Sequence, residues 1–474
     1  VTDAPPSTSP QSFDSPSRIS GITGIAALIL FTLIAAYPGA IAGHVRSFQL
    51  AYLIGMAGYA MLIRCIWKSP PPASLTGWCV LALAIRLPLL TMSSSDDVYR
   101  YLWEGRVQLH GVNPYSLAPD DPTLAPLRDE NWSNVNHPNW PAIYPPLAQL
   151  EFAILAAIHP DLRLFKATHA LWDFLTFLLL MAWLRDRGLD PRRAIVYGLC
   201  PLTLTAFSIS GHVDALMLLL MVAACRLFDQ GRVRWAGVSL GLAVAAKIMA
   251  LPLLLWFAYR NLRSALIAIA TILLCYLPYL AATTDLFHSL LRFGAEQEFY
   301  SLIHYPLGRL LFIPLPVSKA ILLAAWLAFT LWRLRRTEQL DQNPTTSRGI
   351  QPARPHNGKE ISPGQHRVGA PSPTAQFAAP VFAALLLALP VLHYWYLAWL
   401  LVFLPFRLRI SWLILAATML LYFDAQHQLD QTGDWFLPVW ARWATILAFA
   451  VAALAEYANP LWPGTVVPSA PIKR

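Results

Sequence analysis

The sequence predicts an all-α polytopic membrane protein, a bundle of about 11–14 transmembrane helices with a long first outer loop. Three observations carry this. Of 474 residues, 56% are hydrophobic and the mean hydropathy is +0.48. Charged residues make up 13%, about half the share in a soluble globular domain. Apolar runs close to the ~20 residues a span needs recur from end to end. The net charge of +9 lies mainly between those runs. That placement suits membrane topology and lipid headgroups and points to no nucleic-acid partner. Cys65, Cys79, Cys200, Cys225 and Cys275 are scattered through apolar sequence without paired spacing, so neither a disulfide frame nor a metal cluster is expected.

Residues 1–20, rich in Pro and Ser, read as a disordered tail rather than a cleaved signal peptide. A first bundle follows over 21–334, opening with spans at 21–43, 48–67 and 73–92. With the N-terminus inside, Arg18, Arg64 and Lys68 are cytoplasmic, and Asp96 and Asp97 emerge on the outer, periplasmic or extracellular, face. Residues 93–145 form the longest loop between spans, and Trp132, Trp140 and Tyr144 argue that it is ordered against the membrane. Apolar runs follow at 142–159, 164–184, 194–209 and 212–228. The basic clusters 185–193 and 226–234 both belong inside, so SISGHVDA at 208–215 turns back outside. One run before residue 185 then does not cross, and the short 142–159 run, broken by prolines, is the candidate.

Lys247 inside the apolar stretch 235–259, followed by Pro252, suggests two half-length helices. Spans at 264–282 and 315–334 flank a second outer loop, 283–308. Residues 335–375 hold almost no large apolar side chains and read as a disordered cytoplasmic linker. A C-terminal group of spans over 376–460 is expected at 376–392, 394–408, 411–424 and 437–457, with the acidic DAQHQLDQTGD stretch as an outer loop and 461–474 as a tail.

A charge inside a span costs roughly 2.5–3.5 kcal/mol on insertion scales. The polar residues at span mouths on one face therefore stand out: Asp96, Asp97, Arg100, Arg106, His212, Asp214, Lys247, the 283–308 loop and His393. Each has an ordinary role open to it. Asp96, Asp97, His212 and Asp214 could cap helices, Lys247 could snorkel, His393 could sit in an aromatic belt, and the arginines could be solvated. None of those roles predicts a shared face. Carboxylates, histidines and cations together suit a site that removes a proton and holds an anion such as a phosphate. No Gly-rich nucleotide loop, zinc spacing or GxSxG elbow is present.

Five stretches carry a family resemblance: DDVYRYLWEGRVQLHGVNPY at 96–115, IYPPLAQ at 143–149, SGHVDALMLLL at 210–220, GLAVAAKIMALPLLL at 241–255 and HYWYLAWLL at 393–401. In this order the chain resembles the GT-C glycosyltransferases, most of all the bacterial polyprenol-phosphate-mannose-dependent mannosyltransferases and their GT87-like relatives. It departs from their pattern where GHVD stands in place of an Asn before the acid, and in the long insert at 335–375.

The resemblance implies an inverting transfer of a hexose, mannose first, from a polyprenyl-phosphate sugar donor to a lipid or glycan acceptor at the outer membrane surface. It makes Asp97 the general base, with Asp96 the second choice. His393, Lys247, Arg100 and Arg309 are the implied holders of the donor phosphate, His393 first. Tyr99, Trp103, Arg106, Tyr144, His212 and Asp214 are implied at the sugar or acceptor. No cofactor is implied, with a divalent metal left open. Glucose or arabinose on the same machinery, or a lipid-linked-sugar transporter, are the competing readings. A transporter would carry its acids near mid-membrane on repeat-related broken helices.

Overall fold

The structure, a computed structural model, describes residues 15–69, 74–342 and 372–459. Helices run in the order α1 (Ser15–Ala36), α2 (Val45–Lys68), α3 (Thr76–Leu89), α4 (Asp96–Leu109), α5 (Pro146–Ile158), α6 (Leu162–Asp186), and the single turns α7 (Ile195–Gly198) and α8 (Pro201–Leu204). Next come α9 (Asp214–Asp229), α10 (Val233–Ala246), α11 (Pro252–Arg260), α12 (Leu262–Tyr276), α13 (His288–Glu296), α14 (His304–Leu310) and α15 (Leu315–Gln342). The C-terminal group is α16 (Pro373–Ala388), α17 (Ala398–Leu401), α18 (Ile410–Thr418), α19 (Asp424–Thr432) and α20 (Val439–Ala458). The fold is all-α. Among the described residues, β-pairing is limited to isolated bridges from Phe299 and Tyr300 to Val391.

Six described helices are long and apolar enough to span a membrane: Ile19–Ala36, Val45–Lys68, Leu162–Asp186, Leu262–Glu296, Leu315–Thr337 and Val439–Ala458. Five shorter apolar helices pack among them. At 13 residues, α5 is about 20 Å long, short of the ~30 Å hydrocarbon core. The segment 194–209 is not one continuous helix but two single helical turns and a π-helical turn, Thr205–Ile209. It runs from the Ser69 end of α2, where Arg192 donates to Ser69 O, to the opposite end, where Ser210 O accepts from Ser95. The expected span 394–408 is likewise a 3-10 turn, Tyr394–Leu397, followed by α17. Both lie inside the protein: residues 194–214 and 397–406 are buried without interruption. Irregular backbone at membrane depth is tolerated where protein covers it, and these segments cover one another in the largest apolar core, with Tyr197, Phe207, Phe382, Trp399 and Phe403.

Segment boundaries also move. α1 begins within the expected tail, α15 continues into the expected linker as far as Gln342, and α16 starts at Pro373. The remainder of the linker and of both tails lies outside the described residues. The segment expected as a second outer loop holds α13 and most of α14, and the acidic stretch expected as a loop folds as α19. The predicted break at Lys247 is present: α10 stops at Ala246, Lys247 is extended, and Pro252 opens α11.

Small residues permit the closest crossings. A Cβ on Gly58 would lie 2.6 Å from Ala27 Cβ, so α1 and α2 touch nearly backbone to backbone. A Cβ on Gly105 would meet Phe152 O at 2.3 Å, which fixes α4 against α5. Arg86 on α3 and Asp173 on α6 form a buried ion pair at 2.8 Å, and Arg86 also donates to Ala82 O and Gly198 O. It thereby ties the broken segment to two helices.

Candidate active site

The acids sit where helix α4 begins. Ser95 is extended, and its backbone N and Oγ donate to Ser210 O at 3.1 and 3.0 Å. This pins the start of α4 to the turn 210–213. Asp96 and Asp97 fill the first helical turn, where free backbone N–H groups favour anions.

The two carboxylates have different surroundings. Asp97 Oδ1 accepts from Asn136 Nδ2 at 2.8 Å, and Oδ2 lies 3.1 Å from His212 Nδ1. Burial acts to raise its carboxyl, but the hydrogen bond and charge of His212, then Asn136 and Lys247, outweigh burial and hold it below the usual carboxylate range. Asp96 is open to solvent yet set deep among protein atoms, as the wall of a recess is. Burial, and next the charge of Asp97, raise it to about 6.

His212 follows Gly211, whose φ of +75° is left-handed backbone that glycine enters without strain. A Cβ there would stand 3.1 Å from Val98 Cγ2. The His212 side chain is buried, at 1% exposure. Its ring stacks on Trp395 at 3.6 Å between centroids, and Trp395 also stacks against His393 at 4.3 Å. His393 Nδ1 is 2.7 Å from the Tyr422 hydroxyl. A hydroxyl that donates there leaves Nε2–H as a donor.

Lys247 Nζ lies 2.6 Å from Asp214 Oδ2 and over the rings of Tyr396 and Trp399. Asp214, in the first turn of α9, also accepts from Trp399 Nε1 at 2.7 Å. Lys247 is close enough to Asp97 to steady its charge. The recess is therefore built from the start of α4, the loop around Asn136, the turn 210–214, the break at Lys247 and the segment 393–399.

Several expected roles do not match this geometry. Arg100 is buried, and its guanidinium donates to Glu104 and to the carbonyls of Asn136, His137 and Trp140. It shapes the loop that presents Asn136, and four of its five N–H donors are taken up there. Arg106 pairs with Asp129 at 2.6 Å within the first loop. Trp103 is core, packed with Val107, Leu124 and Val135, with Tyr99 half-buried beside it. Arg309 lies exposed on α14 against Tyr305. Tyr144 packs edge-on against Tyr101 and Phe152. His212 and Asp214 are in the recess, but as partners of Asp97 and Lys247.

Asn136, Tyr394, Trp395, Tyr396 and Tyr422 were not singled out as site residues. The run HYWY at 393–396 carries that signal, since each of its rings touches another ring of the cluster. Asn136 has none: it is one asparagine in a loop rich in them. Among the described residues no group of three or more His, Cys, Asp or Glu side chains is placed to hold a metal ion.

Residues 23–262 match the MptA_B family, described as alpha-(1->6)-mannopyranosyltransferase, N-terminal domain. No curated protein and no solved structure matches the chain. The matched span contains Asp96, Asp97, His212, Asp214 and Lys247, while His393 and its aromatic neighbours lie beyond it. The match covers just over half of the chain, and on that ground the chain belongs to this family and is a membrane glycosyltransferase, a mannosyltransferase.

Proposed function

We propose that the chain transfers mannose from a polyprenyl-phosphate donor to a hydroxyl of a lipid or glycan acceptor, at the outer face of the membrane and with inversion. The observation that carries the reading is the convergence of Asp97, His212, His393 and Lys247, from four separate segments, on one aromatic-walled recess. In this mechanism the acceptor oxygen attacks the anomeric carbon, and the bond from that carbon to the phosphate oxygen breaks. The phosphate leaves with the bonding pair. The attacking hydroxyl becomes strongly acidic only as the new bond forms, so a carboxylate that is always ionised suffices to take its proton. Asp97 is such a group, oriented by Asn136 and His212.

The departing phosphate needs donors and positive charge. His393 Nε2–H and Lys247 supply them, with Lys247 exchanging part of its contact with Asp214 for the phosphate. The family description favours an α-1,6 linkage. One observation favours a second reading, in which Asp96 is the base: it is the more open acid and the one raised to about 6.

The test is the full chain in detergent with labelled polyprenyl-phosphate mannose and a panel of hydroxyl acceptors. Labelled product that disappears in Asp97→Asn supports the reading. No transfer to any acceptor in detergent, together with labelled donor crossing the membrane of vesicles that hold the same chain, would replace it by a transporter.

A further inference from the structure

One buried face of α6 carries Lys166, His169 and Asp173, and each serves a different break in the backbone. Lys166 Nζ donates to Met92 O, just before the acid turn. Asp173 holds Arg86, which donates to Gly198 O. His169 Nδ1 lies 2.7 Å from Gly211 O, and the ring is fully buried. A carbonyl only accepts, so Nδ1 carries a hydrogen.

The other nitrogen, Nε2, faces Glu151 Oε2 on α5 at 3.4 Å, and neither atom has another hydrogen-bond partner. Glu151 Oε1 accepts from Trp172 Nε1 at 2.6 Å. The carboxylate thus stands against the edge of the ring opposite Gly211. The Gly211 carbonyl sets Nδ1 as the donor, and Glu151, held by Trp172, limits how far the ring can turn from it. The edge of Tyr101 closes the remaining side of the ring.

Gly211 is the residue before His212, in a left-handed turn that lacks a helical ladder. Its carbonyls are held from outside, Ser210 O by Ser95 and Gly211 O by His169. We propose that His169, oriented by Glu151, is a positioning residue for mannosyl transfer. It clamps Gly211 and so aims His212 at Asp97, without touching the substrate. This rests on the reading of Asp97 as the base.

The test uses the full chain in detergent, with His169→Phe, which removes the donor, and His169→Asn, whose amide reaches the Nδ1 position. For His169→Phe, kcat falls about 30-fold while the donor KM stays within about twofold, and amide exchange in the peptide 208–214 rises about tenfold. His169→Asn recovers both within about threefold. Glu151→Ala raises exchange in the same peptide, which decides the matter should His169→Phe fail to fold. Wild-type kcat with unchanged exchange in His169→Phe, a rise in KM alone, or a His169→Asn as impaired as His169→Phe overturns the proposal. If the unaltered chain transfers no mannose, the functional reading fails, while the exchange measurement still judges the clamp.

Discussion

The phenolic oxygen of Tyr394 lies 2.5 Å from the Ser210 hydroxyl and 3.4 Å from His212 Nε2. A side chain from the C-terminal segment thus fastens the turn that orients Asp97. Because the family match ends at residue 262, the matched domain alone holds the acids but lacks His393, Tyr394 and Trp395. The recess is complete only when both parts of the chain are present.

Asp97→Asn keeps the shape of the side chain and removes its basicity. Transfer should fall by at least about a thousandfold, within the range that general-base and electrostatic contributions reach together. Asp96→Asn should cost no more than about tenfold. Single-turnover rates with labelled donor check both, and the reverse order would make Asp96 the base.

The acid side of the pH profile separates the same two readings. Asp96 is protonated below about 6 and ionised above it. With Asp97 as base, kcat should hold nearly level from pH 8 to pH ~6 and show no limb there. With Asp96 as base it would fall about tenfold per pH unit below that point.

Stability should respond to Asp96 as well. Its carboxyl is raised from the ordinary 3.8 to about 6 in the fold, so the folded chain holds this proton more tightly than the unfolded chain does. That stabilisation is fully present below the unfolded value and is lost as pH rises through about 6. Asp96→Asn should therefore raise the thermal midpoint in detergent at pH ~7.5, with the gain shrinking toward pH ~4.

Lys247→Met leaves Asp214 buried without its cation, a change that costs about 3–5 kcal/mol when a buried pair loses one partner. The double variant Lys247→Met/Asp214→Asn should recover most of that stability. It should not recover transfer, because the phosphate has lost a positive charge. Thermal unfolding read beside activity tests this, and recovered activity would remove Lys247 from the site.

Gly105→Ala should loosen α4 from α5, since the added methyl would press on Phe152 O at 2.3 Å. The expected loss is about 1–3 kcal/mol, visible as a lower thermal midpoint. By contrast, replacing 343–371 with a short flexible linker should leave transfer mostly unchanged, as measured with the same labelled donor.

Much of this was legible in the sequence. Hydropathy marked the membrane bundle, and Lys247 before Pro252 marked the break between α10 and α11. The stretches holding Asp97, His212, Lys247 and His393 were singled out before any geometry. Two expected spans, 194–209 and 394–408, read like continuous helices in lipid and are broken segments of the core, because a buried segment is apolar whether or not its helix is continuous. Arg100 and Trp103 were misplaced for a related reason. A residue's type states which bonds it can make, and only the fold states which are already made. Arg100 binds three carbonyls and Glu104, so four of its five N–H donors are already committed inside the protein. Asn136 was invisible because its role depends on a partner far away in sequence.

The mutual shelter of the two broken core segments bears on how the chain is made. Synthesis delivers 194–214 to the membrane well before 397–406 exists. Until the later stretch arrives, the earlier one has its carbonyls held by Arg86, Ser95 and His169 but lacks the apolar cover of Trp399 and Phe403, so its first placement in the bilayer is provisional. A ribosome that stalls anywhere before the C-terminal group releases a product with an open wound in its centre. Such a product is a natural target for membrane proteases, and mature yield should depend on the last quarter of translation more than on the first.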